Sequence, residues 1–173
     1  MALGLCAGAL LLGAAADRLG RRGVRPAEVL AAAAAAAMAA QLALVLRAPV
    51  PPEALWALIG ASGGATVLGF AALADIFPKA SAGRANGALN LLHIGAAFLV
   101  QGGIGLVVGL WPADAFGRYP AEAYAAALGL NLVPQAAALA WFLLAPRLAR
   151  AAGLGGAAWG RAAALDPAPP RSP

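Results

Sequence analysis

Charge is scarce in this sequence. Only 11% of its 173 residues are charged, against about 25% in ordinary soluble domains. Aromatic side chains make up just 6%. With 62% hydrophobic residues and a mean hydropathy of +0.80, the chain is neither disordered nor a soluble globule, but an integral membrane protein. A single cysteine, Cys6, excludes an intrachain disulfide. It sits inside an apolar run and reads as a small buried hydrophobe. No His or Cys pair has metal-ligand spacing, so neither a metal site nor a cofactor is expected. Catalytic constellations are also missing: there are no paired carboxylates and no Ser/His/Asp set at usable depth. Gly102, Gly103 and Gly105 lie inside an apolar run, follow no strand, and read as helix packing rather than a nucleotide loop. The chain is not expected to be an enzyme. Its net charge of +5 sits in short loops, which points to membrane topology rather than nucleic acid.

What is present is a series of apolar runs long enough to cross a bilayer. A crossing helix needs about 20 such residues. Five spans are expected, at about 1–16, 27–46, 54–75, 84–111 and 121–146. Together they form an all-α polytopic helix bundle over residues 1–150. Residues 151–173, rich in Gly, Ala and then Pro, are expected to form a disordered cytoplasmic tail. The first span is short of a full crossing. Ala14-Ala15-Ala16 resembles a signal-peptidase site, but four arginines follow at once and would resist translocation. The basic residues alternate between sides. Loops 17–25 and 75–84 and the C-terminus carry ten of the twelve, whereas Arg47 and Arg118 stand alone on the other side. This asymmetry puts the basic side in the cytoplasm of a multi-pass protein. Trp56, Trp111, Tyr119 and Tyr124 fall near the outer interface, which favours amphipathic rings. The Ala-rich, Arg-over-Lys composition suggests a bacterial gene, and hence the inner membrane.

One stretch carries a motif. Gly13, Asp17, Arg18, Gly20, Arg21 and Arg22 follow the pattern G-x-x-x-D-R-x-G-R-R directly after an apolar helix and on the basic side. Physically, Gly13 would let a neighbouring helix approach and Gly20 would permit a tight turn. Asp17 could face the positive N-terminus of another helix, and the arginines would anchor the loop at the cytoplasmic surface. The bland reading is a generic basic loop that only sets topology. The pattern resembles the loop signature of the major facilitator superfamily of secondary transporters. Ala72 to Pro78, followed by Gly83-Arg84-Ala85-Asn86-Gly87, resembles the short cytoplasmic loop two helices further on in that family. The resemblance covers residues 1–150 and implies five of twelve helices, about eight to twelve, in the C-terminal half. It further implies a charge network of Asp17, Arg21 and Asp75. The missing N-terminal half then becomes a partner, beside the lipid bilayer and an unknown small-molecule solute.

Span 84–111 carries the most chemistry. Asn86, Asn90, His93 and Gln101 fall at offsets 0, 4, 7 and 15. At about 100° per residue they share a face roughly 80° wide. Gly87, Gly95, Gly102, Gly105 and Gly109 fall on another face, suited to close helix packing. The polar stripe either bonds to neighbouring helices or lines a pathway. Asn131 and Gln135 lie one turn apart around Pro134, where a kink is expected. Span 54–74, with Gly60, Gly63, Gly64 and Gly69, suits tight packing or a pathway. Span 27–46, almost pure Ala and Leu with only Gln41, is expected to be peripheral. The function implied by the resemblance is a partial secondary transporter, inactive alone and expected to be a fragment. The alternative is a free-standing five-span structural or interaction protein of the membrane.

Overall fold

The computed structural model describes residues 2–74 and 77–151. The described residues form six helices and no strand: α1 (Ala2–Gly20), α2 (Pro26–Val45), α3 (Pro52–Gly63), α4 (Thr66–Ala74), α5 (Lys79–Val108) and α6 (Ala121–Ala151). Helices α3 and α4 together make one apolar stretch. Among the described residues, four stretches are long and apolar enough to cross a membrane: Pro26–Val45, Pro52–Leu73, Ala80–Val108 and Ala121–Ala145. The molecule is thus an all-α bundle built for a bilayer.

Prolines and glycines set the helix ends. Pro26 and Pro52 open α2 and α3, where a missing N–H costs nothing and φ is already helical. The Arg25 backbone N–H donates to Glu28 Oε2 at 3.3 Å, satisfying a donor at the start of α2. Between α1 and α2 the chain reverses at Gly23, whose φ of 84° is open to glycine at little cost. The tight turn expected at Gly20 is therefore made three residues later, and Gly20 is the last residue of α1. Asp17 and Arg18 likewise belong to the last turns of α1 rather than to a loop. The helix is 19 residues long, about 28 Å at 1.5 Å per residue, but its last turns carry Asp17 and Arg18, so its apolar part stays short of a full crossing. Cys6, on the same helix, is exposed rather than buried. The same extension of helix beyond the apolar run occurs elsewhere: α5 already includes Lys79 and Arg84, and α6 continues to Ala151. Polar and charged residues near a membrane surface still make good helix, so apolar runs underestimate helix length.

Three small-residue contacts hold α1 against α3 and the turn that follows it. A Cβ on Gly8 would lie 2.0 Å from the Ala61 carbonyl oxygen, and one on Gly64 would lie 2.2 Å from the Ala9 nitrogen. Gly4 rests on Ala57 in the same way. Positions 4, 8 and 9 meet 57, 61 and 64 in ascending order, so the two helices run parallel. A Cβ on Gly13, by contrast, would have nothing within 4 Å, so the close approach expected there does not occur. At Gly64 the third stretch breaks. The Gly64 and Ala65 N–H groups bond back to Ala61 and Ser62, and the Thr66 hydroxyl donates to the Gly63 carbonyl at 2.9 Å. The span expected to be one helix is thus two.

Below this contact Ala16, Val29, Ala33, Ala65 and Leu68 form a core, with Leu12, Leu19, Val24 and Leu30 packed on it. A second core joins Val108 of α5 to Ala123 and Ala127 of α6. Both cores are made chiefly of alanine, so packing here comes from close backbones rather than large side chains. Helix α2 touches α1, α3, α4 and α6. It lies at the centre of the described bundle, not at its periphery. Its alanines are what allow four neighbours to reach it.

Candidate functional site

Polar side chains inside the apolar helices fall into two groups. The first is a clasp between α2 and α6. Gln41 is buried, and its Nε2 donates to Gln135 Oε1 at 3.1 Å, while Gln135 Nε2 donates back to Gln41 Oε1 at 3.2 Å. Asn131 Nδ2 also donates to Gln41 Oε1, at 3.4 Å. An amide carries both donor and acceptor, so two glutamines can satisfy each other without water. At the end of the same helix pair, the Arg47 guanidinium bridges to Glu122. Arg47 sits at a φ of 51°, with the Ala48 N–H bonded to the Ala43 carbonyl, the left-handed ending of a helix usually taken by glycine. Contacts 41 to 135 and 47 to 122 descend together, so α2 and α6 are antiparallel. Asn131 and Gln135, expected as candidate pathway residues, are therefore committed to interhelical bonds. Helix α6 runs unbroken as helix through Pro134.

The second group is the stripe on α5. Asn90, His93 and Gln101 are exposed, and Asn86 is half-buried with an Oδ1 that has no partner among the described residues. At about 100° per residue, Ile104 and Val108 lie on this same face. Val108 is buried against α6, and Ile104 packs there too. The face that joins α6 near the 109–120 hairpin thus turns polar further along α5, where Asn90, His93 and Gln101 stand open and only Asn86 is partly covered. Between the two helices an open groove of about 300 Å³ begins at Leu99, Val100 and Gly103 on one side and Leu130, Asn131 and Pro134 on the other. None of Asn86, Asn90, His93 and Gln101 lines that groove. The chemistry of the stripe is a set of uncharged donors and acceptors on an open face of α5. The glycine side of α5 is not packed: Gly87, Gly95, Gly102 and Gly105 have nothing within 4 Å of where a Cβ would lie.

The motif residues stand apart from both groups. Asp17, Arg18, Gly20, Arg21 and Arg22 are exposed at one end of α1, and Gly13 is half-buried on its flank. Asp17 and Arg21 form no ion pair with each other among the described residues, and Asp75, the third member of the expected network, lies outside them. The expected tail, 152–173, also lies outside the described residues. Opposite this end, Asp114 organises the 109–120 hairpin. Its Oδ1 accepts the Phe116 and Arg118 N–H groups, both at 2.9 Å, and Oδ2 accepts Arg118 Nε at 2.8 Å. The Arg118 backbone bond first, and its side chain and the Phe116 N–H after it, hold the Asp114 carboxyl below its usual range.

Sequence reasoning missed Gly8, Ala61 and Gln41 as organising residues. A signal for the first two was present, since Gly4 to Gly8 and Gly60 to Gly64 both have the four-residue small-residue spacing of close helix pairs. Gln41 was the lone amide of its span, which in a membrane already calls for a partner. Comparison of the chain with protein-family models, with characterised proteins and with solved structures gives no match.

Proposed function

We propose that the chain is part of a secondary transporter of the major facilitator type, carrying a small solute across the bacterial inner membrane. The observation that carries this reading is the α5 face that is apolar where it meets α6 and polar where it opens. Polar groups facing hydrocarbon are costly, and in bundles they face the interior or a water-filled cavity. In such transporters a solute site lies between two helical units that rock about it. Asn90, His93 and Gln101 would offer donors and acceptors to an uncharged part of that solute. A second helical unit is needed to cover this face, which is why the chain alone is expected not to transport. The motif at the end of α1 supports the family, and the alternation of basic and poorly basic ends supports a multi-pass inner-membrane orientation with the C-terminus cytoplasmic.

Thiol accessibility tests the reading. In a Cys6→Ser background, cysteines replace Asn90, His93 or Gln101 in one set and Leu91, Leu92 or Phe98 in another. A water-soluble, membrane-impermeant reagent is applied to inside-out vesicles. The stripe positions are expected to react and the leucine and phenylalanine positions to stay protected. Equal protection of both sets would mean that the stripe is buried against a helix and would overturn the pathway.

A further inference from the structure

We propose that the basic end of α1 is a binding site for the phosphodiester headgroup of an anionic phospholipid, whose acyl chain runs along the same helix face. An open depression of about 530 Å³ lies there, lined by Ala15, Arg18, Leu19, Arg21 and Arg22. Its three guanidiniums are exposed, and among the described residues no carboxylate pairs with any of them. Glu28, the acidic residue across the turn, is already taken by Arg25 at 2.8 Å. Asp17 is exposed on the same helix and offsets one of the three positive charges without cancelling them.

The geometry favours a lipid over a soluble phosphate. Leu11, Ala15 and Arg18 are spaced by four and three residues, so they line one face of α1, and Arg22 follows in the turn just beyond its end. Leu11 is 69% exposed, and Leu10 beside it 77%. That face therefore passes from arginine at the membrane surface to bare leucine at hydrocarbon depth. A molecule that is anionic at one end and apolar along its length matches both parts. Guanidinium is the side chain best suited to phosphate, because its planar fork can bond two oxygens at once. The C-terminal carbonyls of α1 favour cations nearby and hold arginine at this end, so the anion is held by side chains and not by the helix. Basic clusters on the cytoplasmic side of membrane helices are where acidic headgroups bind.

The test uses the full chain purified and delipidated in detergent, where membrane orientation no longer matters. Phosphatidylglycerol and phosphatidylcholine of the same acyl composition are titrated in, and bound lipid is counted by native mass spectrometry. Phosphatidylglycerol is expected to bind the wild type, and Arg18→Gln/Arg21→Gln/Arg22→Gln to weaken it about a hundredfold, each basic residue contributing a factor of about five. The single variant Arg22→Gln is expected to lose about fivefold. Arg47→Gln/Arg118→Gln at the other end should leave binding unchanged. The side chains concerned are exposed, and circular dichroism of each variant checks that the fold is kept. Equal binding of phosphatidylcholine, or an unchanged affinity in the triple variant, would overturn the site. Glycerol 1-phosphate competing as well as the whole lipid would overturn the lipid and leave a soluble phosphate as ligand. Because the readout is lipid binding, its failure leaves the polar face of α5 untouched, and protection of that face leaves the lipid site untouched.

Discussion

At the residue scale, two glycines of α1 that look alike in sequence have opposite roles. Gly8 lies so close to the backbone of Ala61 that an added methyl group has no room. Gly13 has open space around it. Gly8→Ala must push α1 and α3 apart, a strain of about 1–3 kcal/mol. Gly13→Ala meets nothing and replaces a poor helix former, so it is expected to gain about 0.5–1 kcal/mol. Thermal unfolding midpoints in detergent should therefore move in opposite directions. A matching loss at both positions would mean that Gly13 is covered by a helix beyond those described. The contrast also marks what was legible. The motif points to Gly13 because the charged residues that follow it, from Asp17 to Arg22, are conspicuous. The contact lies one and a half turns earlier, where only the spacing Gly4 to Gly8 signals it. Spacing shows that a glycine can accept a neighbour, but which face meets one depends on the path of the other helices.

At the scale of the elements, α2 and α5 show why span content alone misplaces a helix. An Ala-rich helix with one amide suggests a peripheral position for α2. Its small side chains instead let four helices approach, and its one amide closes the clasp with α6. Conversely, α5 carries glycines suited to packing, yet that side stays open. Existence and approximate position of all the apolar stretches followed from hydropathy, since hydrocarbon imposes a minimum length. The break at Gly64 did not, because Gly63-Gly64 is tolerated within a helix and only the contact with α1 tightens the turn there. The clasp itself can be weighed by a double-mutant cycle. Gln41→Leu or Gln135→Leu leaves the other amide without its partner at hydrocarbon depth, whereas the double variant removes both polar groups together. A coupling of about 0.6–1.7 kcal/mol is expected, the range found between buried polar groups of membrane helices. Zero coupling in detergent unfolding would mean that each amide finds other partners when released. The clasp would then not be what fixes α6 on α2.

For the whole molecule, orientation follows from register and charge together. Parallel packing of α1 on α3 puts the residue 20 end of one beside the Ala74 end of the continuing stretch. Antiparallel packing of α2 on α6 puts Arg47 beside Glu122. The connections thus sort into two ends, one holding Arg18, Arg21, Arg22, Arg25 and Arg84, the other Arg47 and Arg118. Short basic loops stay in the cytoplasm, so the first end is expected inside. Alkaline phosphatase, which folds actively only outside the inner membrane, reports this when fused after Val50 or Phe116, where high activity is expected, and after Val24 or Pro78, where none is. The charge margin makes the orientation robust. Across the whole sequence ten basic residues fall on one side and two on the other, so neutralising Arg18, Arg21 and Arg22 still leaves seven against two. The triple variant should therefore give the same fusion pattern as the parent. If it inverts, the arginines at the end of α1 dominate insertion rather than sharing it with the later loops, and topology alone accounts for their clustering. If the pattern holds, three exposed guanidiniums that orientation does not require lie at the inner surface, and their clustering needs a reason besides topology, of which a ligand of opposite charge is the one the lipid titration tests.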